Sequence, residues 1–200
     1  MVSTRDRIIV ATNELFRRYG YNGTSLSQIS DASSATIGSI YHFFPGGKEE
    51  LGAAVIETTG TVYRQLFESI AAASADPAKA IGDVFTGAGI VLQETDFIDP
   101  CPIGGIAREV ANTSELLRRA ASAAIGSWIT AVGDHLRSAG LESRDADELA
   151  TVIVSTLEGS FVLSRTLRST GPLGAASTHL TKLVEHAIRE SQLQTLPPSY

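Results

Sequence analysis

The sequence has little of what marks secreted, membrane-spanning or disulfide-stabilised proteins. Its one cysteine, Cys101, cannot form a disulfide within the chain, which suits a reducing compartment. No apolar stretch free of charges approaches the roughly 20 residues that cross a bilayer. The start of the chain is charged and lacks the apolar stretch of a secretory signal. We therefore expect a cytoplasmic protein with no membrane passage.

Patterns for strands, metal sites and catalysis are scarce as well. Apolar and polar residues do not alternate over any long stretch, whereas helical spacing recurs in most windows, so the sequence predicts an all-α fold. His179 and His186 are seven residues apart, which does not match the i, i+4 pair of a helical zinc site. Gly104-Gly105 lacks the lysine and serine or threonine of a phosphate-binding loop. The sequence thus predicts no metal, no cofactor and no catalytic residues.

Charge is unevenly distributed along the chain. The net charge is −6, but residues 1–48 contain five basic and three acidic side chains, a net +2. Residues 49–200 therefore carry −8. A mildly basic segment followed by an acidic one indicates two functions, which predicts one domain at residues 1–48 and a second at residues 49–200.

Three short helices are predicted in the first of these segments. A first helix ends at Gly20, and its apolar face is formed by Ile8, Ala11, Leu15, Phe16 and Tyr19. Ser25 and Gln28 have the spacing of a capping box that begins a second helix, which is predicted to bury Leu26, Ile29 and Ala32. Thr36 is a favourable N-cap for a third helix. That helix ends before Pro45, because a proline disfavours helical backbone at the residue before it.

Beyond the third helix, apolar spacing predicts six more helices, or about nine in all. Their ranges are about 48–74, 77–95, 103–111, 114–139, 145–169 and 174–193. Prolines and glycines separate most of them. The chain is therefore predicted to be helical along nearly its whole length.

The second and third helices have the dimensions of a helix-turn-helix, a motif whose second helix enters the major groove of DNA. On the third helix, Ile40 and Phe44 can face inward, and Phe44 together with Phe43 is expected to secure this helix to the first. Ile37, Tyr41 and His42 can then face outward, where a hydroxyl and a ring N–H can reach phosphates. Helix pairs of this size also occur in proteins that never bind DNA. A plain three-helix core with a few surface aromatic residues is therefore an alternative.

The same residues resemble the DNA-binding signature of tetracycline-repressor (TetR) type regulators. The resemblance rests on ISDASSATIGSIYHFF at 29–44, followed by KEEL at 48–51. With ATNELF at 11–16 it covers residues 5–52. The loop FPGGKE has one residue more than the common form and, together with CPIG at 101–104, resembles the LmrA/YxaF-like branch.

The resemblance implies a homodimer whose N-terminal three-helix domain binds double-stranded operator DNA. It also implies a helical C-terminal domain that binds a small-molecule effector and mediates dimerisation. Carried over position by position, the implied DNA contacts are Thr24, Ser25, Thr36, Ile37, Gly38, Ser39, Tyr41, His42 and Lys48.

Two positions depart from the family pattern. Ser34 stands where a turn glycine is usual, which the fold can absorb if Ser34 is not strongly left-handed. Ile37 stands where a lysine is common, so one phosphate contact is lost and an apolar group able to meet a thymine methyl takes its place. We therefore expect a shallower salt dependence of DNA binding than in a lysine-bearing relative.

Two glycines inside a predicted helix, Gly87 and Gly89, need a reason, because each costs about 1 kcal/mol relative to alanine. Close packing of helices is one explanation, and room for a ligand is the other. The candidate effector-binding residues are largely apolar, as such sites are: Phe67, Phe85, Gly89, Leu92, Cys101, Ile103 and Trp128. Any one of them can instead be a core residue.

The last two predicted helices carry an apolar stripe, and the resemblance implies that they pair with their symmetry mates in a four-helix bundle. The candidate dimer-interface residues are Val152, Thr156, Gly159, Ser160, Leu163, Leu180, Leu183 and Val184. Burial within one subunit can account for part of this stripe. A dimer suits DNA binding because two recognition helices about 34 Å apart reach successive turns of the duplex.

An enzyme and a helical interaction module are the rival classes of protein. Cys101 could act as a nucleophile with His135 or His179 as its base, but the prolines on both sides more simply make it part of a rigid turn. The interpretation that the sequence favours is a homodimeric repressor released from a palindromic operator by an effector. Activation, or regulation without an effector, are its alternatives.

Overall fold

The computed structural model describes residues 3–98 and 101–194, and all regular structure in these residues is α-helical. In chain order the helices are α1 (Thr4–Tyr19), α2 (Leu26–Ser33), α3 (Ile37–Phe43), α4 (Gly47–Ala73), α5 (Pro77–Glu94), α6 (Pro102–Val110), α7 (Glu115–Ser138), α8 (Ser143–Leu167) and α9 (Gly171–Gln194). The last six begin and end within about one turn of their predicted bounds. The all-α prediction is confirmed. Within the described ranges, no helix is long and apolar enough to cross a membrane.

Helix α1 is bounded by the signals that the sequence carries. The Ser3 hydroxyl accepts from the Asp6 backbone N–H at 3.1 Å, and Gly20 ends the helix with φ 76°. The buried face consists of Ile8, Ile9, Thr12 and Phe16. Thr12 is accommodated in this face because its hydroxyl donates to the Ile8 carbonyl at 2.7 Å. Tyr19 was predicted on the same face, and that prediction is wrong, because its side chain is exposed.

The turn between α2 and α3 is left-handed. The capping box at the start of α2 is present, with the Ser25 hydroxyl and the Gln28 side chain bonded reciprocally to backbone N–H groups. Ala32, predicted to be buried, is exposed, and Ser33 is buried in its place. Ser34 has φ 51° and ψ 39°, in the left-handed region. A serine is accommodated here without strain only if its backbone is not strongly left-handed. Ser34 is left-handed, so we infer that it is strained.

We expect Ser34→Gly to raise the free energy of unfolding by about 0.5–1 kcal/mol. An L-residue in the left-handed region is strained by about 1–2 kcal/mol, and glycine removes this strain. Part of the gain is offset because glycine has more conformational freedom in the unfolded chain. Ser27→Gly is the matched control, since Ser27 lies within α2 and is exposed; it should lower the same quantity by about 0.5 kcal/mol. Urea unfolding measures both. Equal destabilisation by the two changes would contradict the prediction.

Helix α3 is held by two apolar side chains. Ile40 and Phe44 are 0% and 1% exposed, as predicted. Phe44 leaves the helical conformation with φ −136°, which confirms that the helix ends before Pro45. Phe43 was also expected to secure α3 to α1, and this is wrong, because Phe43 is 36% exposed. Only one of the two adjacent rings belongs to the core.

The described residues form two compact units. The first contains the chain up to Val62 together with Ile98–Gly126. In this unit α1 packs against α2, α3 and α6, and α2 packs against α3. Its fully buried large side chains include Ile8, Ile29, Ile40, Phe44, Leu51, Ile103, Ile106 and Leu117. The division predicted at residue 48 is one of function rather than of packing, and it stays a prediction.

The second unit contains Tyr63–Phe97 and the chain from Ser127 onward. Here α9 packs along α5 and against α8. Gly82 permits the α5–α9 approach, because a Cβ on it would overlap the Thr181 hydroxyl. A Cβ on Gly87 would meet nothing within 4 Å, and one on Gly89 would make only ordinary contacts. Close packing therefore explains Gly82 and not the two glycines for which it was considered.

Candidate nucleic-acid interface

One face of α3 is exposed and carries the side chains predicted to read DNA. Ile37 is 45% exposed and Tyr41, one turn later, is 49% exposed. His42 is exposed beside them, and its ring packs edge-on against Phe43 with 5.0 Å between centroids. The opposite face is the buried one that contains Ile40. The helix thus presents an apolar group, a phenol and an imidazole side by side.

The first turn of α3 is open to a close approach by another molecule. The Thr36 hydroxyl accepts from the Ser39 backbone N–H at 3.0 Å and lies 2.9 Å from the Ser39 hydroxyl. A Cβ on Gly38 would meet only Thr36 Oγ1, at 3.7 Å. Small side chains at the start of a recognition helix allow a phosphate or a base edge to come near. Thr36, Gly38 and Ser39 thus form an open first turn, and their contact with DNA stays a prediction.

The Tyr41 ring packs against the backbone of Gly47. Gly47 is buried and has φ 67°, which a side chain rarely adopts. A Cβ on Gly47 would lie 3.3 Å from Tyr41 Cε1, so the ring packs closely on the glycine backbone. Gly46 contributes differently, since its N–H donates to Glu50 Oε2 at 2.7 Å and closes the first turn of α4. The second glycine of the pair therefore has both a conformational and a packing reason.

At the start of α2, two predicted DNA contacts lie in different environments. Ser25 is exposed and its hydroxyl caps the helix. Thr24 is only 2% exposed, and its hydroxyl donates to the Gly20 carbonyl at 2.8 Å. The Thr24 side chain therefore holds the loop that precedes α2. Its contact with DNA stays a prediction.

Lys48 packs on an aromatic ring that the sequence did not link to it. Its Nζ lies 4.3 Å from the centroid of the Tyr21 ring, a cation–π geometry. Burial lowers the pKa of Lys48, and the nearby Glu109 carboxylate opposes that shift. Burial also raises the pKa of Tyr21, with a further contribution from the charge of Glu49. Lys48 is half-buried, and its contact with the Tyr21 ring positions its ammonium.

Two other charged residues join this region and were missed from sequence. The Arg5 guanidinium lies over the Phe44 ring, 5.4 Å from its centroid. Glu109 of α6 accepts hydrogen bonds from the backbone N–H groups of Tyr21 and Asn22. No local pattern could have found either contact, because each joins residues far apart in the chain.

The predicted effector-binding residues are distributed over both units. Phe85, Gly89 and Leu92 are buried in the second unit. Phe67 and Trp128 are half-buried in the same unit. Each contacts another ring: Trp128 is 6.1 Å from Tyr63 and Phe67 is 5.8 Å from His135, measured between centroids. Cys101 and Ile103 are buried in the first unit.

Within the described residues no cluster of three or more His, Cys, Asp or Glu could hold a metal.

The predicted dimer residues divide into an exposed and a buried group. Val152, Gly159 and Leu163 are exposed, and with the half-buried Thr156 they form a stripe along α8. Leu183 is exposed on α9. Ser160, Leu180 and Val184 are buried within the chain. These three side chains pack inside the single chain, and a partner contact through them stays a prediction.

Two family profiles match the chain. Residues 8–55 match "Bacterial regulatory proteins, tetR family", and residues 77–179 match "Transcriptional regulator LmrA/YxaF-like, C-terminal domain". The first match includes the whole of α2 and α3. Both families consist of transcriptional regulators and not of enzymes.

Similar proteins are found among curated sequences and solved structures. The HTH-type regulator YxaF of Bacillus subtilis is 34% identical over 90% of this chain and 95% of its own. LmrA of the same organism is 33% identical over 91% of this chain and 97% of its own. A TetR regulator from Legionella pneumophila has the same fold, with a TM-score of 0.80, 24% identity and coverage of 92% of this chain and 98% of its own. The chain therefore belongs to the TetR family of transcriptional regulators, DNA-binding proteins of the helix-turn-helix type, and its C-terminal part is of the LmrA/YxaF-like kind.

Proposed function

We propose that the protein is a homodimeric repressor that binds a palindromic operator through α3 and leaves it when a small molecule binds. The observation that supports this most directly is the exposed face of α3, with Ile37, Tyr41 and His42 beside an open first turn. In this proposal residues 1–48 form the DNA-binding domain and residues 49–200 the effector-binding and dimerisation domain. The protein acts in the cytoplasm, where its operator is.

Dimerisation through α8 and α9 supplies the second recognition helix. A seven-residue helix such as α3 can contact only a few base pairs, so a specific site needs two copies about 34 Å apart. The exposed residues Val152, Gly159, Leu163 and Leu183 form the proposed interface. A Cβ on Gly159 would meet nothing within 4 Å in the single chain, which leaves space for a partner helix to approach.

The effector is proposed to bind in the second unit, beside Phe67 and Trp128. These rings are half-buried, and they lie in one unit with the buried Phe85 and Leu92 and with Gly89. An effector that prefers the dimer with misaligned recognition helices lowers operator affinity by the ratio of its two affinities. Helix α4, which begins directly after α3 and carries Phe67, is the proposed lever.

Gel retardation tests the proposal in two steps. DNA fragments that flank the protein's own gene are titrated with the wild type and with Tyr41→Ala, which removes an exposed ring of α3. A fragment with dyad symmetry that is retarded by the wild type and at least about 10-fold more weakly by the variant supports DNA reading by α3. Small molecules that change Trp128 fluorescence are then tested for release of the fragment. If no fragment is retarded, the DNA-binding part fails; if compounds bind without release, the effector part fails.

We expect Ile37→Lys to steepen the salt dependence of operator binding. A lysine that reaches a phosphate adds about −0.9 to the slope of log affinity against log salt for each contact made. Ile90→Lys is the matched control, because Ile90 is an exposed isoleucine on α5, outside the recognition helix, with 53% exposure against 45% for Ile37. Retardation between 50 and 200 mM salt, about a fourfold range, measures the slopes. Identical slopes for wild type and Ile37→Lys would contradict the prediction.

A further inference from the structure

A carboxylate from α6 holds the backbone of the loop between α1 and α2. Glu109 Oε2 accepts from the Asn22 N–H at 2.7 Å, and Glu109 Oε1 accepts from the Tyr21 N–H at 3.2 Å. The two oxygens thus capture two successive backbone donors, 87 and 88 residues away in the chain. Hydrogen bonds to a charged acceptor are stronger than neutral ones. Both partners lie in the first unit.

Gly20 makes room for this carboxylate. A Cβ on Gly20 would overlap Glu109 Oε1, and its φ of 76° is itself unfavourable for a side chain. The glycine that ends α1 is therefore needed twice, once for its backbone conformation and once for the approach of Glu109. Its N–H still donates to the Phe16 carbonyl at 2.9 Å, so α1 ends without a lost bond.

The captured loop leads directly into the helix-turn-helix. The Thr24 hydroxyl donates to the Gly20 carbonyl, and the Thr24 N–H donates to the Tyr21 carbonyl at 3.2 Å. Ser25, the next residue, caps α2. The Tyr21 ring packs 5.4 Å from the Phe16 ring and beneath the Lys48 ammonium. A displacement of this loop therefore moves the start of α2 and the support of Lys48 together.

We propose that Glu109 is a positioning residue for DNA binding. Through the loop backbone, α6 holds the start of α2 and so determines where α2 and α3 lie for operator contact. The inference rests on the proposed function, since it concerns the same DNA-binding surface. A negative charge near Lys48 should by itself repel phosphate, so simple electrostatics predicts that removing it strengthens DNA binding. The positioning role predicts the opposite sign.

Operator titration of Glu109→Ala and Glu109→Gln tests the proposal. We expect about a 10-fold loss of affinity for the alanine variant, which loses both hydrogen bonds, and a smaller loss for glutamine, which keeps one acceptor oxygen. The slope of log affinity against log salt should not become steeper, because the change creates no new phosphate contact. Glu57→Gln removes the same charge from an exposed position on α4 in the same unit. This control should bind within about twofold of the wild type.

Amide hydrogen exchange gives a readout that does not depend on DNA. In Glu109→Ala the Tyr21 and Asn22 amides should exchange at least about 10-fold faster than in the wild type, while amides in the middle of α1 stay protected. Unchanged exchange, or tighter operator binding with a steeper salt slope, would overturn the positioning role. Failure of the wild type to bind any fragment is a different result, because it refutes the proposed function while the exchange experiment still decides whether Glu109 holds the loop.

Discussion

Replacing Leu163 by glutamate should give a folded monomer with little affinity for the operator. Leu163 is 55% exposed in the single chain and lies on the α8 stripe with Val152, Thr156 and Gly159. In the proposed dimer the stripe is covered by a partner helix, so the new carboxylate would be buried without a counter-charge. Such a charge costs about 3–5 kcal/mol, which weakens dimerisation by more than about 100-fold. A monomer offers one recognition helix instead of two.

Leu66→Glu is the matched control for this prediction. Leu66 is also 55% exposed, but it lies on α4, outside the proposed interface. Sedimentation at micromolar concentration should show a dimer for the wild type and Leu66→Glu, and a monomer for Leu163→Glu. Gel retardation should follow the same division. A dimeric Leu163→Glu variant would mean that α8 does not form the interface in the way proposed.

Phe44→Ala should destabilise the DNA-binding part by about 3–5 kcal/mol, whereas Phe43→Ala should cost about 1 kcal/mol or less. The two rings are adjacent in sequence, but Phe44 is 1% exposed and Phe43 is 36% exposed. Removing Phe44 leaves a cavity beside Ile40 in the three-helix core and also removes the ring beneath Arg5. Removing Phe43 takes away a half-exposed edge contact with His42.

Thermal unfolding followed by circular dichroism measures both effects. Because the three-helix DNA-binding domain is small, the loss of stability in Phe44→Ala should appear as an unfolding transition at lower temperature. Operator binding should also be lost at 25 °C, about room temperature. Phe43→Ala should keep a transition near that of the wild type. Equal destabilisation by the two variants would show that the buried and exposed assignments of these rings are incorrect.

Local signals predicted the helices well because caps and breakers act within one turn of the chain. Ser25 with Gln28 begins α2, Thr36 begins α3, and Pro45 prevents α3 from continuing, all as expected from sequence. The outward face of α3 was predictable for a related reason. A helix of known bounds places Ile37 and Tyr41 on one side, and the buried Ile40 then selects the other side as the core.

Predictions that depended on the partner of a side chain were less successful. Leu180 and Leu183 are three residues apart on α9, and both were assigned to the dimer interface, but only Leu183 is exposed. A helix that packs on two neighbours has a wide apolar stripe. The spacing of its apolar residues therefore does not show which part of the stripe faces a second subunit. Ser34 is a similar case, because its left-handed backbone is imposed by the α2–α3 packing and not by serine's own preference.

The sequence by itself determined where nearly every described helix begins and ends, and that a helix-turn-helix of the TetR type opens the chain. These properties depend on residues a few positions apart, so local sequence patterns are enough to predict them. Only the tertiary structure decided that Phe43 is exposed and that Lys48 lies on Tyr21. It also decided that Glu109 holds the loop at Asn22. Those contacts join segments up to 88 residues apart, and their geometry is settled only when the helices pack.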